Sequence, residues 1–146
     1  MKKAVLMVLL CGFIFSGMFG CNKYEPLNKA VSSYTVTDVE NVNADIYDVS
    51  PVGATVIIKD TNENPYVYGE WYKIEKEENG KWYDVETVIE EYGFNEIGYS
   101  LDENNEVKFE INWEWLYGEL PQGNYRILKE VNRQYIAVEF AVSEEI

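Results

Sequence analysis

The residues with chemistry to offer fall into three groups. Carboxylates come first: 26 Asp and Glu in 146 residues, with adjacent pairs at Glu90-Glu91 and Asp102-Glu103. Two carboxylates suffice to hydrolyse a glycoside, one as acid and one as base or nucleophile. The run "DENNE", Asp102 to Glu106, clusters oxygen ligands of the kind calcium takes. It lacks the spacing and the glycine of a calcium loop, so a solvated turn is expected there. Aromatic side chains are the second group. "NWEWLYGE" sets Trp113, Trp115 and Tyr117 on alternate positions, a platform on which a sugar ring or a peptide could stack. Large aromatics on small β domains usually belong to the core. The plainer expectation is that Trp113 ends a core strand while Trp115, Leu116 and Tyr117 cap the domain as a turn. Third is a thiol, Cys21, the residue behind "MFG".

Much of the usual catalytic repertoire is missing. The chain has no His, which removes the commonest general base and the commonest zinc ligand. Ser32, Ser33, Ser50, Ser100 and Ser143 follow Cys21, and none sits in a nucleophile elbow. There is no glycine-rich phosphate loop and no dinucleotide fingerprint. Among 26 acids some will be neighbours by chance, so two close carboxylates alone do not define a hydrolase. These residues predict a protein that is not an enzyme and needs no cofactor or metal. A hydrolase built on acids stands as the weaker rival; it requires a deep cleft flanked by two carboxylates, at least one with a raised pKa.

Cys21 belongs with what precedes it. Met1, Lys2 and Lys3 give a short basic start, and Ala4 to Cys21 carries no charge. A small residue, Gly20, stands before the thiol. This is the pattern of a lipoprotein signal peptide over residues 1–20, cut so that a diacylglycerylated Cys21 becomes the N-terminus. An uncleaved membrane helix is the alternative, because 18 uncharged residues approach a spanning length. Gly12, Gly17 and Gly20 and the lack of a basic residue just after the run favour the signal. The protein is therefore expected outside the cytoplasm, held on the cell membrane by lipid. Beyond Cys21 there is no further Cys, so the domain has no disulfide. It must be stabilised by a core, for which 19 aromatic residues are available after Cys21. Removing Lys2 and Lys3 from the 12 basic residues leaves 10 against 26 acids, a charge of −16 in place of −14. Nucleic acid and anionic polymers are repelled by such a chain. The acidic excess reads mainly as a solvated surface.

The elements that must hold these groups are strands. Residues 21–33 are polar, contain Pro26 and show no period, and read as a flexible tether. The domain is placed over 34–146. "YTVTDV" (34–39) alternates and is predicted as the first strand, while "ENVNADIYDVSPVG" reads as irregular. "ATVIIKD" (54–60) is a strand with Val56 and Ile58 on one face. "YVYGEWYKIEKE" (66–77) reads as one long strand, and Asn79-Gly80 is a two-residue hairpin turn. That turn sets Glu78 against Lys81, Lys76 against Tyr83 and Ile74 against Val85. It also sends Trp71 and Trp82 to the face opposite Ile74, which requires a bulge or a half-exposed Trp. A short strand is expected within 97–101. "EVKFEINW" alternates with Val107, Phe109, Ile111 and Trp113 inward. "NYRILKEV" and "QYIAVEFAV" close the chain. No helical period follows the leader, so an all-β antiparallel sandwich of about seven strands is predicted.

Tyr125 sharpens that reading. It heads a strand just behind "LPQG", with Leu120 and Gly123 shaping the loop. A Tyr in this place resembles the tyrosine corner of immunoglobulin-like sandwiches, where the phenol hydroxyl bonds to main chain a few residues upstream. Three stretches, "YGEWYKIEKEENGKWYDV", "EVKFEINWEWLYGELPQGNYRILKEV" and "YIAVEFAV", are together similar to a bacterial immunoglobulin-like domain family. That family is found in Gram-positive lipoproteins and appended to some sensor peptidases. The resemblance covers roughly 54–142. The chain departs from antibody domains in having Ile127 where their second Cys stands. The resemblance implies an immunoglobulin-like fold without catalytic residues. The expected function is a lipid-anchored binding or structural module whose partner is a protein or an envelope polymer. An accessory domain that senses for, or regulates, a membrane peptidase or signalling protein is the alternative.

Overall fold

A computed structural model describes residues 29–143. The signal segment 1–20, Cys21 and the first part of the expected tether lie outside the described residues. Nine strands and one short helix follow in order: β1 Val42–Ser50, β2 Gly53–Asp60, β3 Tyr68–Gly69, β4 Tyr72–Glu78, β5 Lys81–Asp84, β6 Gly98–Tyr99, β7 Glu106–Asn112, α1 Glu114–Tyr117, β8 Gly123–Val131 and β9 Gln134–Val142. Seven of them build two antiparallel sheets, ordered β1-β2-β7 and β5-β4-β8-β9. The remaining pair, β3 and β6, form a two-residue ladder of their own.

Alternation explains the sandwich. Val56 and Ile58 from β2 and Val107, Phe109 and Ile111 from β7 turn inward from one sheet. Ile74, Tyr125, Ile127, Ile136 and Phe140 meet them from the other. Facing strands thus present every second residue to a shared apolar layer, which is the packing expected of stacked sheets. Two polar residues share this inner layer: Asp60, fully buried at the end of β2, and Lys129 on β8, 1% exposed.

The β4–β5 hairpin has the register the sequence predicts, with Glu78 opposite Lys81 and Lys76 opposite Tyr83. Asn79 and Gly80 both adopt positive φ, 52° and 77°, as a type I′ turn requires. Trp71 and Trp82 both end half-buried on the outer face.

Three expectations need correcting. The segment 42–50 is strand β1 and is not irregular. Val42, Ala44 and Ile46 do alternate with Asn43, Asp45 and Tyr47. A bulge after Tyr47, with Asp48 at φ 52°, then interrupts the pattern. The stretch 66–77 is not one strand: Tyr68 and Gly69 pair with β6, and the chain joins the four-stranded sheet only at Tyr72. Asp60 holds that detour, accepting from the Tyr66 amide at 2.8 Å and the Tyr68 hydroxyl at 2.9 Å. The predicted first strand, 34–39, pairs only at Val36, which bridges to Tyr135 in parallel.

That last segment is part of a strap. The described end of the stretch read as a tether lies along β5, with Ser32 N donating to Trp82 O and Asp84 N donating to Ala30 O. Thr37 N donates to Tyr135 O on β9, at the opposite edge of the same sheet. Residues 33–35 therefore cross the outer face, where Tyr34 packs against Trp71 and Tyr135. Under the strap lie Glu75 and Leu128, both fully buried although they point away from the core.

Candidate functional site

Trp113, Trp115 and Tyr117, the residues that could have formed a platform, do not lie on one open surface. Trp113 is fully buried, its indole N–H donating to Pro51 O at 2.8 Å. Tyr117 is buried too, and its hydroxyl accepts from the Ile74 amide. The four-residue helix Glu114–Tyr117 turns successive side chains about 100° apart, so alternate positions no longer share a face. Trp115 alone stays open, 45% exposed.

Trp115 borders a different site. A cleft of about 310 Å³ lies between β7 and the segment 94–99. Tyr72, Phe94, Tyr99, Phe109 and Trp115 supply its apolar walls. Phe94 sits edge-on to both Tyr72 and Trp115, with ring centroids 5.1 and 6.1 Å apart. Its volume is at the small end of ligand pockets. Glu70, Lys108, Glu110 and Asn112 give the polar rim. The Tyr99 hydroxyl donates to Glu70 at 2.6 Å, and the Asn95 amide donates to the other oxygen at 3.0 Å. Those bonds hold the Glu70 carboxyl below its ordinary range and, reciprocally, raise the Tyr99 hydroxyl. Glu110 is likewise lowered, by the Lys108 ammonium that bonds it at 2.8 Å. Burial pushes the Tyr72 hydroxyl up to about 12, so it remains a neutral donor.

This arrangement suits holding better than reacting. A general acid for glycoside cleavage needs a carboxyl whose pKa is raised. Glu70 and Glu110 move the other way, and both face solvent. Glu90-Glu91 and Asp102-Glu103 do not line the cleft. Asp102 is occupied locally: one carboxylate oxygen accepts from the Asn104 and Glu106 amides at 2.8 and 2.9 Å. Its oxygens therefore organise the turn that starts β7. Among the described residues no group of three acidic or sulfur ligands is gathered for a metal.

Sequence reasoning missed Glu70, Tyr72, Phe94, Tyr99 and Asn112. They come from separate elements and share no spacing. The available signal was the density of aromatics over 92–99 in a stretch too irregular to be core.

Tyr125 occupies the corner geometry. It is 1% exposed, and its hydroxyl donates to Pro121 O, four residues upstream, at 2.6 Å. Its ring stacks on Phe140 at 5.6 Å. Tyr125→Phe should lower unfolding free energy by about 1 kcal/mol, the scale of an unmet buried partner, read as a urea midpoint shift. An unchanged midpoint would show that the bond to Pro121 contributes nothing.

A family model described as a bacterial Ig-like domain matches residues 37–142. No curated protein and no solved structure matches the chain. The match spans both sheets, from the strap's contact with β9 to the end of β9. The chain belongs to the bacterial Ig-like domain family, a family of binding or structural modules.

Proposed function

We propose that this chain is a non-catalytic binding module, held outside the cell membrane by lipid on Cys21, whose ligand enters the cleft beside β7. The observation that carries the reading is the cleft itself: five aromatic walls, a rim of fixed ionised groups, and no acid or base tuned for proton transfer. Rigid aromatic surface with a few placed polar groups is what recognition sites use. Lys29 follows Cys21 by eight Cα-to-Cα steps, so lipid and domain stand at most about 30 Å apart, at ~3.5 Å per step. A module kept that close meets membrane neighbours at raised effective concentration. An accessory role beside a membrane peptidase or signalling protein is one form such presentation takes.

Two measurements test this reading. The full chain made in a Gram-positive host should sediment with membranes and incorporate labelled fatty acid, and Cys21→Ala should abolish the labelling. Probed on an array of ten-residue peptides, the chain should bind selectively. Trp115→Ala should weaken binding at least tenfold, roughly 1.4 kcal/mol, without moving the melting temperature. Fatty-acid labelling that is absent or independent of Cys21, or binding indifferent to Trp115, would overturn it.

A further inference from the structure

The two sheets have four lateral edges, and they are treated differently. On β5 the edge is taken by Ala30 and Ser32, and on β9 by Thr37. The β1 edge is broken by a bulge between Tyr47 and Ser50. Strand β7 has neither device. It pairs with β2 through seven consecutive residues without a shift, and no described strand lies on its other side. Immunoglobulin-like sandwiches of the seven-strand kind carry a fourth strand in this sheet. Here β6, which precedes β7 in the chain, pairs with β3 instead.

The free groups can be named. Trp113 N donates to Val52 O and Asp60 N donates to Asn105 O, at the two ends of the β2–β7 ladder. Positions in an antiparallel ladder alternate between bonding the partner and pointing away from it. Val107, Phe109 and Ile111 therefore bond β2, and Glu106, Lys108, Glu110 and Asn112 direct their N–H and C=O outward. Both ends are closed: Glu106 O accepts from the Asp102 amide at 2.8 Å, and Asn112 O from the Tyr72 hydroxyl at 3.5 Å. Between them the N–H and C=O of Lys108 and of Glu110 meet no described backbone. An open, regular edge of this kind templates another strand.

These same residues, Lys108 to Asn112, form one wall of the aromatic cleft. We propose that the cleft binds an extended, basic segment of another protein by strand addition to β7. The idea rests on the cleft being the binding site and adds what enters it and how. Main-chain bonds to Lys108 and Glu110 would give affinity, and alternate side chains specificity. A residue opposite Phe109 would face inward, against Tyr99, Phe94 and Trp115, so an apolar or aromatic side chain fits there. Its neighbours would face outward beside Lys108 and Glu110. Charge selects basic residues for them: the cleft carries two ionised carboxylates, Glu70 and Glu110, against one ammonium, on a chain of net charge −14.

The probe is a synthetic ten-residue peptide of alternating lysine and valine with one central phenylalanine in a valine position, added to the full chain. Amide exchange at Lys108 and Glu110 should slow at least tenfold. Methylating the peptide nitrogens that face β7, or replacing its lysines by glutamates, should each weaken binding at least tenfold. Glu110→Pro removes an N–H that the β2–β7 ladder does not use, so it should abolish binding in a folded protein. Were that variant unfolded, the N-methylated peptide still decides the matter. Binding that needs Trp115 but leaves the Lys108 and Glu110 amides unprotected would overturn strand addition while keeping the cleft as a ligand site. Protection of those amides that grows with protein concentration, without peptide, would give the edge to a second copy of this chain and also overturn the proposal. No binding by any peptide would remove both readings.

Discussion

Arg126→Met should cost about 3–5 kcal/mol, a large part of the ~5–15 kcal/mol that holds a domain together. Glu75 is fully buried on the outer face of the four-stranded sheet, and both the Nε and Nη2 atoms of Arg126 meet its Oε2 at 2.6 Å. Its Oε1 has no partner among the described residues. The guanidinium lies 4.5 Å over the Trp82 ring, with Ser32 Oγ at 3.5 Å from Nη2. Removing it strands a fully buried carboxylate whose other oxygen already has no partner among the described residues. The reverse change, Glu75→Leu, should cost less, about 1–2 kcal/mol, because Arg126 keeps 11% of its side chain exposed and can turn outward. Combining the two should recover most of the loss, since an apolar pair of like volume often equals or exceeds a buried ion pair. Urea unfolding of the three variants gives the cycle. Equal, small costs for both single changes would mean that the pair is wet and the strap stands off the sheet.

This pair also marks where sequence reasoning reached its end. Glu75 and Arg126 sit at outward positions of strands β4 and β8, and alternation alone makes them solvent-facing. What buries them is a strap from the other end of the chain, Ser32 to Tyr34, which the sequence divides between a polar, aperiodic tether ending at Ser33 and a short strand starting at Tyr34. Its pairing is long-range, and period-2 analysis sees only local pattern. The β4–β5 hairpin was legible for the opposite reason: Asn79-Gly80 fixes its register within a few residues. Strand β7 was legible because Val107, Phe109 and Ile111 alternate without a bulge. Strand β1 was not, because Asp48 at positive φ breaks the alternation at its end. For the site, Trp115 could be singled out by type. Its separation from Trp113 and Tyr117 depended on a single helical turn, and its true neighbours Tyr92 and Phe94 are brought in by a loop.

Lys129 governs how the fold responds to alkali. It stands among inward-facing residues, 1% exposed, where alternation calls for an apolar side chain. Burial lowers its pKa to about 7, with the Glu70 charge pulling the other way. One bond to Gly69 O at 2.7 Å and the Phe109 ring 3.8 Å from Nζ are its compensation. In the unfolded chain the same amine holds its proton up to its ordinary value of 10.5. Below pH 7 both states are protonated, and the folded state bears the full cost of a buried ammonium. Between about pH 7 and 10.5 the folded protein has released the proton and the unfolded chain has not, so stability must rise with pH. The slope approaches about 1.4 kcal/mol per pH unit where the two states differ by a whole proton. Burial raises the hydroxyls of Tyr68 and Tyr117 above their ordinary value of 10, so the stability they contribute is intact below pH 10 and lost above it. Unfolding free energy should therefore climb from pH 7 by a few kcal/mol, peak near pH 10 and then fall. Asp60 does not compete in this window: burial raises its pKa, but the Tyr66 and Asn62 amides and the Tyr68 hydroxyl outweigh that, and its contribution is lost only in acid. Lys129→Met keeps the volume and removes the titration. It should be more stable than the natural chain at pH 6 to 7 and nearly flat from there to pH 10. Urea midpoints for both proteins across that range decide the point. A natural chain that is flat or weakening from pH 7 to 9.5, or a methionine variant that follows the same curve, would show that the ammonium reaches water after all.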